Sequence, residues 1–180
     1  MKQFWIFGYG SLMWRPGFDF LHSEPALVHG HHRRLCVYSY VHRGTPEQPG
    51  LVLGLDRGGS CHGMAFQIAP QCWEETIAYL RAREQVTSVY VEMRKTIRLL
   101  SSGAITDATT YVVDRNHVQY AGALGENALM EHVSRGQGIS GRCIDYVQNT
   151  VEHLRAMKIY DPTLECLARR LAPQAASRSS

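Results

Sequence analysis

Residues 7–14, "FGYGSLMW", close the first apolar run of the chain. Phe4 to Tyr9 is aromatic and β-branched and stops at glycine, which predicts a buried strand entering a loop; Pro16 and Gly17 deny that loop an immediate long helix. This context excludes two familiar uses of glycine. Gly8-x-Gly10 lacks the third glycine of a dinucleotide fingerprint, because Met13 stands there, and no helix follows to face a pyrophosphate. Ser11 lacks the flanking glycines of a nucleophile elbow, with Tyr9 and Met13 in their places. Two readings stay open: a glycine-kinked strand end, and a backbone nest whose N–H groups point at an anion such as a carboxylate.

Working outward, Ala26 to Tyr40, Leu51 to Leu55 and His62 to Ile68 carry β character, with Gly58 and Gly59 expected to turn the chain between the last two. From Pro70 the pattern becomes helical, with Glu74 and Glu75 in the first turn and Trp73, Ile77 and Leu80 on one face. Tyr90 to Leu100 and Thr106 to Val113 predict a hairpin about the turn Ser101 to Gly103. Three helices follow: Glu126 to Arg135 stopped by Gly136, Ser140 to Met157 with Ile144, Val147, Val151 and Leu154 on one face, and a short one from Asp161-Pro162. Strands first and helices later predict an α+β fold, a small, strongly bent sheet or barrel flanked by helices. We expect one domain over residues 1–172 and a polar, disordered tail over 173–180.

The composition narrows the function. A chain of 180 residues with 44% hydrophobic residues fills one core without disulfides or metal. Its net charge of +3 is spread along the chain, which argues against a nucleic-acid partner. Five scattered cysteines without a C-x-x-C pair read as reduced thiols, mostly buried. No run of about eighteen apolar residues suggests a membrane span. A cytoplasmic protein is expected.

At about 100° per residue, Glu84 falls within about 40° of Trp73 on the apolar face of its helix. A carboxylate there is either a helix-end residue paired with an arginine or a desolvated acid or base with a raised pKa. Glu92, between Val91 and Met93, reads as an exposed alternating position. His29, His31 and His32 with Arg33 and Arg34 alternate across a strand, which speaks against a metal site. Arg43 is either a carboxylate anchor or a solvated loop arginine. Tyr146, one residue off its apolar face, either packs or offers its hydroxyl to a pocket. Ser140 to Arg142 reads as a cap of the same helix.

In order along the chain, "FGYGSLMW", "HGHHRRLCVYS", "HRGTPEQPG", "YLRARE" and "GISGRCIDYV" resemble the ChaC-type γ-glutamylcyclotransferases over about residues 4 to 157. The resemblance implies a small mixed barrel with flanking helices, and cleavage of glutathione to 5-oxoproline and cysteinylglycine without metal or cofactor. It puts Glu84 at the position of the catalytic glutamate and makes Gly8, Tyr9, Gly10, Ser11 and Leu12 the loop that binds the γ-glutamyl end. Arg43 and Tyr146 are expected to help hold the substrate. Whether the loop meets a carboxylate or an oxyanion stays open, as do the preferred γ-glutamyl compound and the oligomeric state. The alternative is a catalytically silent module that binds γ-glutamyl metabolites.

Overall fold

In the computed structural model, which describes residues 3–85 and 87–176, the opening apolar run becomes strand β1 (Phe4–Gly8). Its residues pair antiparallel with β3 (Gly50–Ile68), from Phe4 opposite Ile68 to Gly8 opposite Met64. On its other side Ile6 bridges Thr109 of β5 (Ile105–Val113) in parallel. Trp5, Ile6 and Phe7 are all buried, so both faces of the strand are covered, which is why the run is continuously apolar rather than alternating. With β2 (His22–Ser39) and β4 (Tyr90–Leu99), these strands close a barrel in the order β1-β3-β2-β4-β5. The expected α+β barrel is therefore the observed fold.

The expected turn at Gly58 and Gly59 does not exist. The chain runs through both residues as one strand of 19 residues. Their φ values of 105° and 66° are positive, so they bend β3 within the sheet, as closing a small barrel requires. The β4–β5 hairpin pairs from Tyr90 opposite Val113 to Arg98 opposite Ile105, and its turn is tied by Glu24, which accepts from the N–H groups of Ser101 and Ser102 at 3.0 Å each.

The chain groups into two compact units. The first comprises Met1–Arg34 and Gly54–His117. In it Pro70 opens a 3₁₀ turn (Pro70–Cys72), and the expected helix starts three residues later as α1 (Trp73–Glu84). Ile77 and Leu80 of α1 pack with Ile6, Leu12, Phe66, Ile68 and Tyr111. Each fully buried aliphatic side chain of this kind contributes about 1.5–3 kcal/mol.

The second unit comprises Leu35–Leu53 and Val118–Ser180. It holds α2 (Glu126–Arg135), a two-stranded ribbon β6 (Gln137–Gly138) and β7 (Gly141–Arg142), α3 (Cys143–Ala156) and α4 (Pro162–Ala176). Ser140 to Arg142 thus belongs to the ribbon turn and its second strand, and α3 begins only at Cys143. The face Ile144, Val147, Val151 and Leu154 is buried, as its spacing predicts, and meets a unit core that includes Leu164, Leu167 and Leu171 of α4. Asp161 caps α4 by accepting from Leu164 N at 3.1 Å. The last helix is longer than expected and reaches Ala176; the rest of the expected tail, residues 177–180, lies outside the described residues.

Asp56 is the most demanding polar group of the first unit. Its side chain is 0% exposed and accepts from Arg34 Nη1 at 3.1 Å, Arg115 Nε at 2.7 Å and the N–H of Arg57 at 2.8 Å. Both arginines are more than a third exposed and can turn to water, so losing the carboxylate costs less than in a fully buried pair. Asp56→Ala is expected to lower stability by about 2 kcal/mol, read as a shift of the denaturant midpoint with an unchanged slope. An unmoved midpoint would remove Asp56 from the forces that hold the barrel.

Candidate active site

The loop after β1 is held from behind by a buried arginine. Arg33 Nε donates to Tyr9 O at 2.6 Å, and Arg33 Nη2 donates to His62 O at 2.6 Å. Phe7 O accepts from Thr110 Oγ1 at 2.9 Å. After Gly10 the chain makes one 3₁₀ turn (Ser11–Met13), in which Gly10 O accepts from Met13 N at 2.9 Å and Ser11 O accepts from Arg15 N at 2.8 Å.

These bonds decide where the loop's donors point. In a planar trans peptide the carbonyl and the following N–H face opposite ways. With the carbonyls of Tyr9, Gly10 and Ser11 all engaged, the N–H groups of Gly10, Ser11 and Leu12 are turned to the other side. All three precede the first bond of the turn and have no acceptor within it. Gly8 is needed for a different reason: a Cβ there would come within 3.0 Å of Leu12 Cβ, so a side chain would push the turn off the strand end.

Glu84 is the last residue of α1. Its side chain is 20% exposed, and Arg83 Nε lies 3.2 Å from its Oε1. Burial pushes the Glu84 carboxyl above the usual carboxylate range, against the lowering effect of the Arg83 cation. The negative end of the helix dipole opposes ionisation in the same sense as burial. Both sequence readings of Glu84 therefore meet in one residue, desolvated and arginine-paired at once.

Arg83 links this carboxylate to the loop. Its Nη2 donates to Ser11 Oγ at 2.9 Å, and its Nη1 donates to Arg15 O at 2.7 Å and Tyr79 Oη at 3.2 Å. Gly17, with φ of 75°, makes room for that tyrosine, since a Cβ would collide with the Tyr79 hydroxyl. Beside them Glu92 is not a free alternating carboxylate. It accepts two bonds from Arg81, at 2.8 and 2.9 Å, and one from Tyr111 Oη at 3.0 Å, which hold it below the usual range. Burial, then the Glu92 charge, pushes the Tyr111 phenol up, so it stays a neutral donor.

The first unit thus brings together Glu84 and the loop Gly8 to Leu12. Arg43 and Tyr146 belong to the second unit and meet each other: the Arg43 guanidinium lies 5.4 Å from the Tyr146 ring centroid. Arg43 Nη1 donates to Ser140 O at 2.6 Å, and the Tyr146 hydroxyl accepts from Leu53 N at 3.1 Å. Neither the solvated-arginine nor the plain-packing reading describes this pair in full. Cys143, bonded to the backbone of Leu51 and pushed by burial to about 11, is a structural thiol rather than a nucleophile. Among the described residues no group of three or more metal-ligating side chains is found.

Sequence reasoning missed Arg33 and Arg83. The signal for Arg33 was its parity, since it shares a strand face with Leu35 and Val37. Arg83 gave only the four-residue spacing from Tyr79, which is too common to single it out.

A desolvated base beside outward-turned N–H donors suits proton transfer on an anionic substrate, and known proteins of this kind match the chain closely. It is 30% identical over 157 residues to human glutathione-specific gamma-glutamylcyclotransferase 1, covering 86% of this chain and 71% of that protein. It is 29% identical over 163 residues to the Escherichia coli glutathione-specific gamma-glutamylcyclotransferase, covering 91% and 70%. The crystal structure of the yeast gamma-glutamyl cyclotransferase specific to glutathione shares the fold, with a TM-score of 0.83 at 22% identity over 96% of this chain and 97% of that one. The family model described as ChaC-like protein matches residues 4–172, and with both the loop and the helix-end glutamate inside that span, the chain belongs to the ChaC-like family.

Proposed function

We propose that this protein is a glutathione-specific γ-glutamylcyclotransferase, which cleaves glutathione to 5-oxoproline and cysteinylglycine. The observation that carries the reading is a desolvated glutamate, Glu84, tied through Arg83 to a loop whose N–H groups face away from their engaged carbonyls. The naming of the relatives for glutathione supports the same substrate. Residues 1–172 act as one catalytic domain, and five free cysteines fit a reducing, cytoplasmic setting.

In this reaction the substrate's α-amine attacks its own γ-carbonyl carbon. A C–N bond closes the five-membered lactam, and the amide bond to cysteine breaks. Holding the chain folded back supplies most of the rate, since well-oriented intramolecular reactions reach effective molarities of about 10⁵–10⁸ M. Glu84 takes the ammonium proton and returns it to the departing amide nitrogen. The N–H groups of Gly10, Ser11 and Leu12 hold the α-carboxylate or the oxyanion as it develops. No nucleophile of the protein and no cofactor enters. Arg43, with Tyr146 against its guanidinium, is proposed separately as an anchor for a substrate carboxylate.

Glu84→Gln is expected to lower kcat about a hundredfold or more with little change in KM. The sign of its effect on stability sets it apart from loss of a structural ion pair. Folding raises the Glu84 pKa, so the associated stability is full below the ordinary carboxylate value and is lost as pH rises through the raised one. At neutral pH the glutamine variant is therefore at least as stable as wild type. Wild-type kcat/KM is expected to rise with pH on an acid limb above the usual carboxylate range. Unchanged turnover, or a clear drop in thermal midpoint, would take the base role from Glu84.

Gly10→Ala is expected to weaken binding of both 5-oxoproline and glutathione, since a methyl group keeps the ligand from the backbone donors, and Ser11→Ala is expected to be milder. Arg43→Lys keeps a charge but not the fork and is expected to raise KM with little change in kcat. Calorimetry and steady-state kinetics separate the cases. Wild-type binding in the Gly10 variant sinks the cradle, and a wild-type KM in the Arg43 variant leaves that side chain to the fold.

N-acetylglutathione tests whose nucleophile attacks. Acetylation removes the amine while keeping the scissile amide and both carboxylates, so the compound is expected to compete weakly with glutathione and not to be cleaved. Release of N-acetylglutamate, or of free glutamate from glutathione, would make water the acceptor and the protein an amidohydrolase. Binding of glutathione with neither product would favour the silent binding module.

A further inference from the structure

Strand β4 turns its odd residues into the barrel, where Ile97 and Leu99 are buried. Val91 and Met93 share that face, yet they are 42% and 37% exposed. With Leu55 and Val112 they line a cavity of about 430 Å³ in the first unit, which is also lined by His31, Arg57, Lys95 and Arg115. That volume lies within the range of about 300–1,000 Å³ that holds small molecules. Neither Glu84 nor the Gly8 to Leu12 loop lines it. Glu92 and Tyr111, which face Arg81 of α1, alternate with Val91 and Val112 and so point to the other side of the hairpin.

The polar lining is unevenly committed. Arg115 is used, donating from Nε to Asp56 at 2.7 Å and from Nη2 to Arg57 O at 3.0 Å. Asp114 accepts from the N–H of Asn116 at 2.9 Å. The Arg57 guanidinium and the Lys95 ammonium, in contrast, have no hydrogen-bond or ion-pair partner among the described residues. The His31 Nδ1 atom is buried and likewise has no partner. Burial first, then the charges of Lys95 and Arg57, hold the His31 imidazole below its ordinary value, so both cations bear on the same ring.

Two uncommitted cations beside an exposed apolar floor complement one chemical class. We propose that this cavity is a second small-molecule site, which takes an organic anion: its phosphate or carboxylate head is held by Arg57 and Lys95 next to the His31 ring, and its apolar body rests on Val91 and Met93. The site stands on these residues alone and does not depend on the cyclotransferase reading.

Titrating the full chain calorimetrically with phenyl phosphate, benzoate, inorganic phosphate and phenol tests this, with imidazole resonances followed by NMR. At least one of the two aryl anions is expected to bind more tightly than inorganic phosphate and to move the His31 signals, while phenol does not bind; which anion binds better identifies the head group. Lys95→Gln and Arg57→Gln are each expected to weaken that binding roughly tenfold at an unchanged thermal midpoint, the loss of one charge-assisted contact. Glu84→Gln is expected to leave it intact. No binding of either aryl anion at millimolar concentration, or wild-type affinity in both charge variants, overturns the proposal. So does displacement of the bound anion by 5-oxoproline, which would assign the contact to the site of Glu84.

Discussion

The constraint on which the site depends is the buried guanidinium of Arg33 beneath the Tyr9 carbonyl. A cation taken out of water costs several kcal/mol unless its protons find acceptors, and here backbone carbonyls of Tyr9 and His62 supply them. The exchange fixes the peptide after Tyr9, and the following 3₁₀ turn fixes the next two. Each of the three N–H groups is thereby turned away from an engaged carbonyl. The loop can therefore be small and glycine-rich, because Arg33 of β2 orients its first peptide and the backbone bonds of its own turn orient the next two.

Arg83 applies the same logic at the other end of the site. It sits on the last turn of α1, where a cation is favoured by the helix dipole, and spends its donors on Ser11, Tyr79 and the carbonyl of Arg15. Its ion pair with Glu84 partly offsets the burial that raises the carboxyl. The single contact through Nε lowers the carboxyl only in part, so burial still holds it above the usual carboxylate range, the condition that suits a group that both takes and returns a proton.

The barrel was legible because its strands obey local rules: doubly flanked β1 reads as unbroken apolar sequence, and the β4–β5 hairpin carries its own turn. Gly58 and Gly59 were misread because positive φ serves equally a turn between two strands and a bend within one; only closure of the barrel, a non-local demand, decides between them. The helix-end glutamate could be seen from its spacing, but its arginine pairing and its desolvation were seen as alternatives. Packing of α1 against Ile6, Leu12 and Tyr111 makes them simultaneous. The two arginines that orient the site were illegible for a related reason. Arg33 donates to backbone carbonyls, which leave no trace in sequence, and Arg83 reaches Ser11 and the Arg15 carbonyl some seventy residues away, a contact that only the fold creates.

The β4–β5 hairpin shows how period-two alternation divides polar work between the faces of one sheet. On the face toward α1 the charges near the helix are matched: Arg81 meets Glu92, and Tyr111 completes the set. That face is closed to ligands because its polar groups are already satisfied, and it serves to hold α1, and with it Glu84, against the barrel. The opposite face begins as ordinary core at Ile97 and Leu99 and ends uncovered at Val91 and Met93, beside cations that the fold does not use. Packing and ion pairing account for the face toward α1. Apolar surface left open beside a cavity, as at Val91 and Met93, is what a ligand-bearing face requires and a purely structural one does not.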